Sequence, residues 1–152
     1  MSIVERIKEL GYKLPEAPKP VAAYIPAVQA GNLVYTSGVL PMLDGKVAYL
    51  KEIGGYLNTI SYGYEAAKLC TLNALSVIHD FVGLDNVEKI IKVTGYVHNV
   101  SGFTDQPKIL NGASDLLLEI FGEAGKHARS AVGVNGLPLG ASVELDMVVQ
   151  IK

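Results

Sequence analysis

Apolar residues recur at helical spacing in three stretches of the chain. In the first, Ile3, Val4, Ile7 and Leu10 share one side, and Ser2 followed by Glu5 forms a capping box, so a short amphipathic helix runs to about Gly11. The second, "SYGYEAAKLCTLNALSVIHDFVG" (61–83), places Ala66, Leu69, Cys70, Leu72, Leu75, Val77 and Ile78 at helical positions and stops at Gly83. Its wide apolar surface is that of a helix lying on a sheet. The third, "TDQPKILNGASDLLLEIFGE" (104–123), reads as another long helix with Pro107 in its first turn.

The remaining apolar runs are β-branched or alternate. "VAAYIPAVQAGNLVYTSGVLP" predicts two strands, at about 21–29 and 32–37, joined at Ala30-Gly31-Asn32, and Asp44-Gly45 turns the chain into a third strand from Lys46 to Leu50. "KIIKVTGYVHNV" (89–100) is the expected central strand, and "HARSAVGV" (127–134) and "SVELDMVVQI" (142–151) are the last two. The glycine-rich "GVNGLPLG" between these two lacks the strand-to-helix setting of a phosphate loop and reads as a hairpin turn. Pro15, Pro18 and Pro20 hold "LPEAPKP" as an extended linker.

Helix, three strands, helix, strand, helix, two strands: this order predicts an α+β two-layer sandwich, with two long helices on one face of a mixed sheet. Residues 1–152 form one domain, with 1–14 as an N-terminal helical appendage. Ile90, Ile91, Val93, Tyr96 and Val97 cannot all point at the helices in such a sheet. The other face is therefore expected to be covered by another subunit.

Composition narrows the function classes. The chain is 49% hydrophobic and 18% charged with a formal net charge of −2, as in an ordinary soluble globular protein. Its lysines are scattered, without the basic stripe and interleaved aromatics that grip nucleic acid. Glu5, Arg6, Lys8 and Glu9 interrupt what would have to be the apolar core of a signal peptide, and no 18-residue apolar run occurs, so a cytoplasmic protein without membrane association is expected. Cys70, the single cysteine, has no partner for a disulfide or a zinc site and belongs in the core.

Candidate chemistry centres on Arg129. In a strand, Arg129, Ala131 and Gly133 share one face and Ala128, Ser130, Val132 and Val134 the other, so a permanent cation stands beside two of the smallest side chains. A planar guanidinium holds a carboxylate through two parallel hydrogen bonds, and small neighbours leave room for one. Glu144, across the loop "NGLPLGA", offers a second charged group for the same cavity. The pair is either a salt bridge or, with the gap beside it, a site for a small acid. His79, His98 and His127 lack metal-ligand spacing and read as surface or strand-end residues, and there is no GxSxG elbow for a serine triad.

"AP" at 17–18, Tyr24, "GNLVYTSG" at 31–38 with Pro41, the Asn111 helix, "ARS" at 128–130, "LP" at 137–138 and Glu144 together resemble the Rid family, the reactive-intermediate deaminases also called the YjgF family. The resemblance runs without gaps from Ala17 to Pro41 and from Ala128 to the C-terminus. It implies a chorismate-mutase-like fold and a barrel-shaped homotrimer with clefts between subunits. It also implies hydrolysis of 2-imino acids or their enamine tautomers, of the 2-iminopropanoate or 2-iminobutanoate type, to 2-oxo acids and ammonia, without metal or organic cofactor. Carried over, Arg129 binds the substrate carboxylate and Glu144 positions the attacking water. Tyr24, Ser37, Gly38, Asn111 and Ala131 line the substrate cleft.

Ala131 stands where the typical deaminase of this family has a cysteine, and the first helix and the longer "YLKEIGGYLNTI" loop (49–60) also depart from the short family pattern. These mark a divergent subgroup. The alternative to an enzyme is a non-catalytic trimer that binds a small carboxylic metabolite or a protein partner, because gripping a carboxylate is not itself catalysis. A ribonuclease or translation-inhibitor role, described for some relatives, has little support in the acidic balance.

Overall fold

The first helix, α1 (Ile3–Glu9), begins at the expected capping box: Ser2 accepts from the Glu5 amide, and the Glu5 carboxylate accepts from the Ser2 amide. The computed structural model describes residues 1–19, 23–55 and 59–152. Ile7 of α1 is fully buried in the main core, and Arg6 donates to the Glu119 carbonyl, so this helix lies against the body of the protein.

A five-stranded sheet and two long helices form the rest of the architecture. The strands are β1 (Ala27–Ala30), β2 (Leu33–Thr36), β5 (Val87–His98), β6 (Ala128–Val134) and β7 (Val143–Ile151), in the order β1-β2-β7-β5-β6. All neighbours are antiparallel except β5 and β6, which run parallel and are joined through α3 (Gln106–Phe121). The sheet is thus mixed, as expected. The other long helix, α2 (Thr59–Val82), stops before Gly83, whose φ of +81° suits a residue without a Cβ. Ala66, Cys70, Leu75 and Ile78 of α2 and Leu110, Ala113, Leu117 and Ile120 of α3 are buried with Val93, Val97, Val143, Leu145, Met147 and Val149 of the sheet. Cys70 lies in this core, where burial pushes its thiol well above the ordinary value and leaves no reactive thiolate.

Three sequence expectations change. The strand expected over about 21–29 is observed from Ala27 to Ala30, and its expected start lies outside the described residues. The strand expected from Lys46 to Leu50 is only β4 (Lys46–Val47), which pairs with β3 (Met42–Leu43) in a separate hairpin. Asp44 and Gly45 both have positive φ, 51° and 78°, the requirement of a tight two-residue turn, and this part of the expectation holds. "GVNGLPLG" is not a hairpin turn: β5 lies between β6 and β7, so the segment crosses the end of β5 and contains a short 3₁₀ turn at Pro138–Gly140.

The expectation for the two faces of the sheet holds: Ile90, Val93 and Val97 face the helices, with register shifts between Val87 and Lys89 and between Ile90 and Lys92 re-aiming the strand, while Tyr96 turns to the open face and Ile91 is not buried. The open face is consequently mixed. It carries Lys92, Thr94 and Tyr96 of β5 beside Glu144, Asp146 and Val148 of β7, together with the exposed Val28, Tyr35 and Val132.

Candidate functional site

Arg129 lies on β6, an edge strand, on the side that meets α3. It pairs in register with Val93, and Ala131 with Gly95, both buried beneath the helices. The alternation expected from the sequence is therefore the one observed. Its Nη1 donates to Asn111 Oδ1 at 2.9 Å and to Ser114 Oγ at 3.1 Å, two residues one turn apart on α3. Among the described residues no carboxylate lies within ion-pair distance of it. The salt-bridge reading of this arginine therefore fails among the described residues. Ala131 is half-buried beside it. The space at Gly133 is not open, however, since a Cβ there would run into the amide groups of Asn99 and Gln106.

Glu144 does not share this cavity. β7 is separated from β6 by β5, and Glu144 alternates with the buried Val143 and Leu145, so it projects from the opposite face of the sheet. The expectation of adjacent strands came from a short connecting loop, which crosses over an intervening strand instead. Glu144 sits against Gly38, where a Cβ would overlap its Oε1 and force the carboxylate to move. Burial first, and then the neighbouring Asp146 charge, raise the Glu144 carboxyl above its ordinary value. The Asp146 carboxyl is also raised by burial, against the pull of a hydrogen bond from Tyr96 and the charge of Lys92.

Ser37 and Tyr24 belong with Gly38. All three line one small concavity of about 40 Å³, where the Ser37 hydroxyl donates to the Ile25 carbonyl at 2.6 Å and Tyr24 is 57% exposed. A larger hollow of about 520 Å³ between the linker and the end of α2 has Phe81, Ile25 and Lys19 in its walls and none of the expected site residues. Its polar lining is Glu16, Lys19 and Asp80, with neither Arg129 nor Glu144 among them. One chain thus holds the candidate residues in two halves: Arg129, Asn111 and Ala131 at the β6–α3 edge, and Tyr24, Ser37 and Gly38 with Glu144, which projects from the other face of the sheet.

Two residues that sequence reasoning left out complete the first half. Ser114 stands three residues after Asn111, and His127 two residues before Arg129 on the same side of the strand. Those spacings were the available signal, masked by the reading of His127 as a strand-end residue.

Residues 4–149 match the family model described as "YjgF/chorismate_mutase-like, putative endoribonuclease". The chain belongs to this family, the YjgF or Rid family, and has its α+β fold. It is 39% identical over 152 residues to Protein TCP17 of Trypanosoma cruzi, covering 99% of this chain and 94% of that one. It is 31% identical over 138 residues, 91% of this chain and 93% of the other, to a protein of Dermatophagoides farinae named 2-iminobutanoate/2-iminopropanoate deaminase. The crystal structure of a "putative endoribonuclease" from Shewanella oneidensis superposes with a TM-score of 0.93 at 34% identity, covering 99% of this chain and 100% of that one. Among the described residues, no helix is long and apolar enough to cross a membrane.

Proposed function

We propose that the protein hydrolyses 2-imino acids, or their enamine tautomers, to 2-oxo acids and ammonia in clefts between the subunits of a homotrimer. The observation that carries this reading is the Arg129 guanidinium, held at Nη1 by Asn111 and Ser114 and, among the described residues, without a carboxylate of its own. Its Nε and Nη2 remain to hold a substrate carboxylate side-on through two parallel hydrogen bonds. The likeness to the Dermatophagoides farinae deaminase supports the substrate class.

An iminium carbon is already electrophilic, so hydrolysis needs mainly a fixed substrate and an oriented water. Proximity of this kind can supply several kcal/mol of the barrier, up to about 7–11 kcal/mol in the best cases. Glu144 accepts the proton of the attacking water, and its raised carboxyl makes it a stronger base than an ordinary glutamate. Tyr24, Ser37 and Gly38 line the cleft around it. No metal or organic cofactor has a part in these steps.

Since Arg129 and Glu144 lie on opposite faces of one sheet, they act on one substrate only if neighbouring subunits supply one each. The cleft is therefore composite: Arg129, Asn111 and Ala131 come from one subunit, and Glu144 and its companions from the next. Covering the open face with a neighbour also buries Val28, Tyr35 and Val132, which a lone chain leaves exposed.

Mixing experiments test this directly. Arg129→Lys and Glu144→Gln homotrimers should each be nearly inactive in ammonia release from freshly generated 2-iminobutanoate. Unfolded together and refolded at equal amounts, they should regain roughly a quarter of wild-type activity, because random assembly leaves that share of clefts with both native residues. No recovery in co-assembled trimers, confirmed by mass, would rule out a composite site. Glu144→Gln alone should bind 2-oxobutanoate like the wild type while its kcat falls by about 10²–10⁴, the usual worth of a positioned base. An unchanged kcat would remove Glu144 from the chemistry, whereas wild-type protein that binds 2-oxobutanoate without accelerating ammonia release would favour a carrier of small carboxylic acids.

A further inference from the structure

His127 is connected to Arg129 by a directed chain of hydrogen bonds. Its Nδ1 lies 2.6 Å from the Gly125 carbonyl, which can only accept, so Nδ1 carries a proton, and in that Nδ1–H tautomer Nε2 is an acceptor. Nε2 lies 2.9 Å from Ser114 Oγ, which must then donate to it. The Ser114 oxygen, with its proton committed, turns its lone pairs to Arg129 Nη1 at 3.1 Å. Asn111 Oδ1 takes the other hydrogen of the same nitrogen.

The geometry points to His127 as a positioning residue for the arginine clamp. Acting through Ser114, it fixes the plane of the Arg129 guanidinium and commits both Nη1 hydrogens, so that the Nε–Nη2 edge alone is offered to a carboxylate. This inference rests on the clamp reading given above. An arginine side chain loses rotamer freedom when it closes on a ligand, and anchoring one end beforehand removes part of that loss from the binding step. Gly125 is itself held in place: it is buried, and a Cβ there would overlap the Leu117 carbonyl, so the acceptor at the far end of the chain belongs to the rigid α3 end. Outer partners of this type typically change ligand affinity without touching the ligand, as they do around metal ligands.

The test compares wild type with His127→Leu, His127→Gln and Ser114→Ala by nitrogen NMR of the Arg129 side chain and by titration with 2-oxobutanoate. In the wild type the Arg129 Nη1 hydrogens should exchange slowly and rotation about the Cζ–N bond should be hindered. His127→Leu should release both and weaken 2-oxobutanoate roughly tenfold. His127→Gln, which offers an amide oxygen to Ser114, should restore most of the loss. In an Arg129→Lys background His127→Leu should cost nothing further, whereas additive losses would show that His127 acts on the fold and not on the arginine. Unchanged Arg129 signals and affinity in His127→Leu would overturn the proposal. If His127→Leu does not fold, Ser114→Ala cuts the same chain with a smaller change of volume and decides in the same way. If wild-type protein shows no Arg129-dependent binding of 2-oxobutanoate, the clamp reading falls, and the arginine signals alone then decide whether His127 holds the guanidinium.

Discussion

Arg129→Lys should lower kcat/KM for 2-iminobutanoate about a hundredfold while the protein stays folded and assembled, a loss of about 2.7 kcal/mol of transition-state binding. Lysine keeps the charge and most of the stem, but one ammonium cannot replace the planar fork. In this site the difference is sharper than usual. Arg129 spends one nitrogen on Asn111 and Ser114 and still has a two-donor edge for the substrate. A lysine Nζ that bonds these two α3 residues has one hydrogen left, and one that turns to the substrate abandons them. The substrate carboxylate is therefore held by one contact instead of two, and its imino carbon swings out of line with the water. Steady-state kinetics with circular dichroism and sedimentation checks this. Activity at the wild-type level, or loss of the assembled state, would return Arg129 to the scaffold.

Gly112→Ala should destabilise the protein, although alanine is the better helix former. In an exposed helix interior this change gains about 1 kcal/mol. Gly112, however, lies in α3 where α2 passes over it: an added Cβ would overlap the Tyr64 carbonyl oxygen and stand 2.9 Å from its carbonyl carbon. Both are backbone atoms of a helix, so no rotamer change relieves the clash and the helices must separate. Overpacking of this kind costs typically 1–3 kcal/mol and sometimes more. A net loss of about 2 kcal/mol corresponds to a fall in Tm of roughly 4–8 °C for a chain of this size, measured at fixed protein concentration because assembly contributes. The neighbours of Gly112 give the change a second consequence. Asn111 and Ser114 move with α3, so affinity for a 2-oxo acid should fall as well. A higher Tm in Gly112→Ala would refute the close crossing.

Local order was legible in the chain because its causes are local. Ser2 and Glu5 are three residues apart and cap the first helix by themselves, Pro107 can stand only in the first turn of α3, and a period of two placed Arg129, Ala131 and Gly133 on one side of their strand. Arg129 and Glu144 stood out by residue type and strand position, and the other candidate residues followed from the resemblance at "GNLVYTSG" and "ARS". Their grouping did not, because periodicity states which side a residue faces relative to its own strand and is silent about which strand lies alongside. Seven residues of "NGLPLGA" are enough for a hairpin, yet β6 pairs in parallel with β5 through the α3 crossover, and β7 takes the other edge of β5. That arrangement alone turned Arg129 and Glu144 to opposite faces and divided the candidate residues in two. The Ser114–His127 link was hidden for the same reason: thirteen residues separate its members, and only the docking of α3 on the sheet edge brings a hydroxyl within 2.9 Å of the imidazole. Helices and strands form from interactions along the chain, whereas a site forms across it, and the site proposed here depends on the packing of α3 and, in the proposed trimer, on a second subunit.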